Sequence, residues 1–211
     1  RAYLGSGIAS NVRGLWAGGW ISPAPTNVMD YITFASIGNA ADFGDLAGSD
    51  NQDPTGFSSP TRGIWSAGNP GAGSNATDEM RYVTIATTGN TTDFGNLAEQ
   101  TTGASGGSSK TRGITAGGSN PDGKVSKLQS ITIATTGNAT DDGDLTAGRM
   151  NTAGGSNTLR GVTMGGMVPA ISDTIEYWSI ASTGDASDFG DLTAARDDCS
   201  NGVCSIGHGG L

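Results

Sequence analysis

A ten-residue phrase, TGNATDDGDL at residues 136–145, occurs four times at intervals of 47–51 residues. Its other copies start at Gly38, Gly89 and Gly184 and close on Leu46, Leu97 and Leu192. A second phrase, Arg-Gly followed by a glycine pair (Gly68 alone in the second copy), starts at Arg13, Arg62, Arg112 and Arg160, with separations of 49, 50 and 48 residues. Two signals locked to one period leave few choices of fold. Each repeat holds a few short segments, too few to cover a hydrophobic face alone, so neighbouring repeats must stack to build a core.

Between the two phrases lie YITFAS (31–36), YVTIAT (82–87), SITIAT (130–135) and YWSIAS (177–182). Alternating β-branched and aromatic residues predict a strand in each, buried on at least one face. Phe43, Phe94 and Phe189 stand as apolar anchors inside the ten-residue phrase, and Asp142 replaces the phenylalanine in the third copy. The chain holds 36 glycines, 35% apolar and 15% charged residues. That balance alone points towards disorder, but the constant phase of the apolar residues points to a folded array. The phrases divide a single repeat domain, 1–211, into units of about 1–49, 50–100, 101–148 and 149–195, with a partial fifth at 196–211. Half a unit predicts either further sequence or a second copy to complete it.

The order of signals is an arginine strand, an apolar strand ending in glycines, a strand with a tyrosine, then a turn and an aromatic before a leucine. It resembles the kelch repeat of β-propellers. The doublets 18–19, 117–118, 165–166 and 209–210 match the kelch double glycine, with Gly68 alone in the second repeat. Tyr31, Tyr82 and Tyr177 match its tyrosine, and phenylalanine stands where kelch repeats carry tryptophan. The phrase IATTGNATDFGDLT followed by TRG is similar to kelch-like arrays in structural proteins of marine bacteriophages. The resemblance implies an all-β, kelch-like β-propeller of four-stranded blades. It also implies a non-enzymatic structural or adhesion module of a virion tail, fibre or extracellular assembly. The competing architecture is a linear β-solenoid.

Candidate sites are few. Oxygen-bearing side chains recur at i, i+3 and i+6 of the phrase: Asn39, Asp42, Asp45; Asn90, Asp93, Asn96; Asn138, Asp141, Asp144; Asp185, Asp188, Asp191. They could hold calcium, which takes six to eight oxygens. Three side chains per repeat fit turn capping better, so no metal or other cofactor is expected. The four repeat arginines could form an anion-binding ring, or each could fix a turn or pair with a motif aspartate. Cys199 and Cys204 flank an Asn201-Gly202 hairpin turn, which predicts a disulfide and an extracellular or virion setting. His208 is the sole histidine, so neither a Ser-His-Asp nor a Cys-His centre is expected. Trp16, Trp20 and Trp65 are candidates for stacking on sugar rings, and a glycan-binding propeller is the alternative function. A net charge of -9 disfavours nucleic acid. No apolar run is long enough for a helical membrane span. The expected partners are other copies of the chain or other proteins of the same assembly, with cell-surface glycan under the alternative.

Overall fold

The computed structural model describes residues 5–48, 52–70 and 76–198. Among these the protein is all-β, with no helix. Four antiparallel sheets of four strands each follow one another along the chain. The first is built from Ser6–Ala9, Arg13–Ala17, Val28–Thr33 and Ala41–Asp45. The second contains Thr55–Ser58, Arg62–Ser66, Thr77–Thr84 and Thr92–Thr101. In the third lie Ser105–Ser108, Arg112–Ala116, Lys127–Thr132 and Thr140–Asp144. Ala153–Ser156, Arg160–Met164, Thr174–Ser179 and Ser187–Asp191 form the fourth. In all four, strands adjacent in this order are paired. Two-residue hairpin arms such as Trp20–Ile21 with Ala24–Pro25 extend from the second-to-third connections of the first, third and fourth sheets.

Local chemistry explains the connections. Ser10, Ser59 and Ser109 accept from the amides of Arg13, Arg62 and Arg112 at 3.1 Å, and Asn157 does the same for Arg160 at 2.8 Å. These side-chain turns link first strand to second. The glycine doublets follow the second strand with left-handed backbone, φ 72° and 100° at Gly18 and Gly19, for example. Only glycine enters that region readily; in the second sheet Ala67 does so at φ 63°.

The third strands begin and end earlier than the sequence predicts. Val28–Thr33 ends where residues 34–36 were expected to continue it. The Ser36 amide donates to the Thr33 carbonyl at 3.2 Å and closes a turn there. The same turn follows Thr84 and Thr132.

No sheet has a core of its own. One apolar cluster joins Ile8, Leu15, Met29, Phe43 and Leu46 of the first repeat to Trp65, Val83 and Ile85 of the second. Another joins Phe57, Ile64, Met80, Phe94 and Leu97 to Ile131, Ile133 and Ala139 of the third. The last joins Ile114, Leu128 and Leu145 to Trp178, Ile180 and Ala186. Each fully buried side chain of this size contributes about 1.5–3 kcal/mol. The sheets therefore stabilise one another, as the stacking argument requires. First strands lie against first strands from sheet to sheet. No closed propeller is detected among the described residues, where the first and fourth sheets share no paired strands.

Candidate functional site

The ten-residue phrase lies at the junctions between sheets. Its Asp-Phe-Gly segment forms a β-bulge in the fourth strand: Gly44 faces Met29 and Asp42 faces Asp30, leaving Phe43 as the extra residue. Asp142 takes that place in the third sheet and Phe189 in the fourth. The bulge turns Phe43, Phe94 and Asp142 into the junctions, where they are buried. The Asp42 carboxylate accepts from the Gly44 amide at 3.0 Å, and Asp93 and Asp141 accept from Gly95 and Gly143 at 3.2 Å.

The phrase of one sheet then clasps the bulged strand of the sheet before it. The Gly89 and Thr91 amides donate to the carbonyls of Phe43 and Asp45 at 2.7 and 2.9 Å. Gly137 and Ala139 donate to Phe94 and Asn96 at 2.7 and 2.8 Å, and Gly184 and Ala186 to Asp142 and Asp144 at the same two distances. In return the side chains of Asn90, Asn138 and Asp185 accept from the amides of Asp45, Asn96 and Asp144 at 3.0 Å. The approach is close enough to demand glycine. A Cβ on Gly44, Gly95 or Gly143 would lie 2.4–2.6 Å from backbone atoms of Gly89, Gly137 or Gly184.

The repeat arginines complete each junction. Arg13, Arg62 and Arg112 donate to the carbonyls of Ile85, Ile133 and Ile180 in the next sheet, at 3.0, 2.9 and 3.0 Å. Arg13, Arg62 and Arg160 lie over the rings of Tyr31, Tyr82 and Tyr177 at 4.7, 4.3 and 4.7 Å. Those rings meet Phe43, Phe94 and Phe189 edge-on. Only in the third sheet is the expected pairing with a motif carboxylate found. There Arg112 donates to Ser130 Oγ at 2.9 Å and to Asp142.

A buried polar contact crosses each of the last two junctions. Gln129 exchanges two bonds with the Glu99 backbone, at 2.7 and 3.0 Å. Glu176, wholly buried, accepts from the Thr146 amide at 3.0 Å and its hydroxyl at 2.6 Å, and pairs with the buried Arg149.

The oxygen triads are divided among these tasks rather than gathered around a point. Asn90, Asn138 and Asp185 face the preceding sheet, and Asp42, Asp93 and Asp141 cap their own bulges. Asp141 and Asp144 are also 2.8 and 3.6 Å from the Lys127 ammonium, whose pKa is raised by its hydrogen bond to Asp141 and by both charges. Among the described residues no three acidic, histidine or cysteine side chains meet as a metal site would require. Asn39, Asp188 and Asp191 are exposed at the two ends of the array.

Trp65 is fully buried and donates from Nε1 to the Ser6 carbonyl at 3.1 Å. Its ring is shut inside a junction, which corrects the expectation that it stacks on sugars. Trp16, at the same position in the first sheet, is 50% exposed; Trp20 is half-buried on the small hairpin. Cys199 and Cys204 lie outside the described residues. Sequence reading missed the Arg149–Glu176 pair, although Arg149 sits four residues past Leu145 as Arg196 sits four past Leu192. No protein-family model and no curated protein matches the chain.

Proposed function

We propose that this chain is a non-enzymatic structural or adhesion module of a virion or other extracellular assembly, its sheets arranged as the blades of a kelch-like propeller or an open arc of one. The observation that carries this reading is the junction itself. It uses backbone donors, glycines and arginines that recur in every repeat, a device for joining sheet to sheet rather than for surrounding a ligand. A radial or open stack of this kind presents large, stable surfaces with short protected edges. Mass spectrometry of particles purified from the source culture tests the proposal. The chain is expected to co-purify with virions or extracellular particles through a density gradient. Recovery solely in the soluble cytosolic fraction overturns it.

Trp16 supports a second reading, glycan binding, because a half-exposed indole is suited to stacking on a sugar ring. On a glycan array this reading expects binding that Trp16→Ala abolishes.

A further inference from the structure

The two ends of the array are unlike each other, and each carries one half of a junction. In the first sheet Phe34 occupies the position of Ile85 and is 55% exposed, whereas Ile85 is 2% exposed against the sheet before it. Gly38 and Ala40 match Gly89 and Thr91, with no carbonyl ahead of them among the described residues. Trp16 matches Trp65. At the other end Phe189 matches Phe43 and Phe94, but is 58% exposed where they are 2%. The left-handed Gly190 has nothing near its Cβ direction, whereas Gly44, Gly95 and Gly143 each meet the backbone of the next sheet.

Charge makes the match specific. Asp30 lies opposite Trp16 in the first sheet, as Glu176 lies opposite Thr163 in the fourth, so the two acids hold one position. Arg196 repeats Arg149: its amide donates to the Ser172 carbonyl and its carbonyl accepts from Gly166, as Arg149 does with Val125 and Gly118. Thr193 stands where Thr146 stands. Asp30, Thr193 and Arg196 are exposed, while Glu176 and Arg149 are buried together.

We propose that the first sheet of one copy docks on the fourth sheet of a second copy of this chain, head to tail, in the register of the internal junctions. Asp30 then pairs with Arg196 and Thr193, repeating Glu176 with Arg149 and Thr146. Gly38 and Ala40 donate to the Phe189 and Asp191 carbonyls, Asn39 accepts from the Asp191 amide, and Arg160 reaches the Phe34 carbonyl. Trp16 enters beside the first strand of the fourth sheet, as Trp65 does beside Ser6. One rung is missing. Ser58, Ser108 and Ser156 each donate to the first strand before them, and Ala9 holds that position in the first sheet. Because the two surfaces differ, docking is heterologous and continues until a ring closes or a filament grows.

This deepens the assembly reading above and rests on it. The test is sedimentation of the full chain at rising micromolar concentration, alone and as Asp30→Arg, Arg196→Asp and the double reversal. The wild type is expected to gain mass with concentration. Each single reversal sets like charges against each other and is expected to weaken association at least about 30-fold. The double reversal restores the pair and is expected to return association to within about tenfold of wild type. Both positions are exposed, so all variants are expected to melt as the wild type does. A wild type that stays monomeric throughout overturns the proposal, as when residues 199–211 of the same chain or an unrelated partner cover the fourth sheet. Association that ignores the single reversals, or that the double reversal fails to restore, overturns it as well. Recovery of the chain in purified particles despite a negative sedimentation result would leave the assembly reading standing with a different partner.

Discussion

In the second sheet the Arg62 guanidinium lies 4.3 Å above the Tyr82 ring, and that ring meets Phe94 edge-on at 5.9 Å. In the third sheet Ser130 and Asp142 replace both aromatics, and Arg112 is held by a hydroxyl and a carboxylate. The arginines do the same thing in both places, each donating to an isoleucine carbonyl of the next sheet. The repeat thus requires an arginine aimed across the junction and tolerates two ways of aiming it. The two positions must change together. A phenylalanine facing Ser130 would leave the guanidinium without its anion, and an aspartate facing Tyr82 would place a carboxylate against a ring.

The two solutions differ in what happens when the arginine is lost. The Asp142 side chain is 3% exposed, so Arg112→Met strands a buried carboxylate and is expected to cost about 3–5 kcal/mol. Arg62→Met leaves only apolar rings and a carbonyl behind, an expected loss of about 1–2 kcal/mol. Urea unfolding of the two variants measures the difference; equal losses would mean that the polar solution carries no special dependence on its arginine.

Next in size is the exchange of one solution for the other. Asp142→Phe alone is expected to destabilise by about 2 kcal/mol, within the range for breaking a buried network. Adding Ser130→Tyr should recover most of that, with a coupling of about 1–3 kcal/mol in the double-mutant cycle. Strict additivity would show that the paired substitution in the third repeat has no energetic basis. A smaller effect is expected from Phe94→Leu, which removes the edge contact with Tyr82 and costs about 1 kcal/mol. At the bottom of the scale, chelating divalent cations should leave the melting temperature unchanged, because Lys127 already neutralises Asp141 and Asp144 and backbone amides engage Asp42, Asn90, Asp93, Asn138 and Asp185. A fall of several degrees would return calcium to the phrase.

The period, the all-β class and the need for stacked sheets were legible in the sequence because they follow from apolar phase and repeat length. The place of Asp142 was not. Its partner Ser130 lies twelve residues away across a strand pair, and only the fold shows that both face Arg112. The glycine doublets take left-handed backbone and also pack closely, since a Cβ on Gly118 would lie 2.0 Å from Thr101 Oγ1 of the sheet before it. The closest approaches between sheets include the glycines after Arg62 and Arg112, where a Cβ would lie 1.7 Å from Ile8 Cδ1 at Gly63 and 2.2 Å from the Phe57 ring at Gly113, and the bulge glycines come within 2.4–2.6 Å of the next sheet's backbone. The Asn/Asp triads looked like one cluster because they are close in sequence. The bulge and the clasp send alternate members to different backbones, an outcome that spacing alone does not encode. Trp16 and Trp65 are alike in sequence and differ in exposure because, among the described residues, only Trp65 has a sheet ahead of it.

The central claim is that the recurring phrase clasps the edge of the preceding sheet through its backbone. Residue-resolved hydrogen exchange, in solution dilute enough to keep the chain monomeric, tests it most directly. The amides of Gly89, Thr91, Gly137, Ala139, Gly184 and Ala186 are expected to exchange roughly 100-fold or more slowly than those of Gly38 and Ala40, which occupy the same phrase with no sheet to clasp. Equal exchange at all four copies of the phrase would contradict the account.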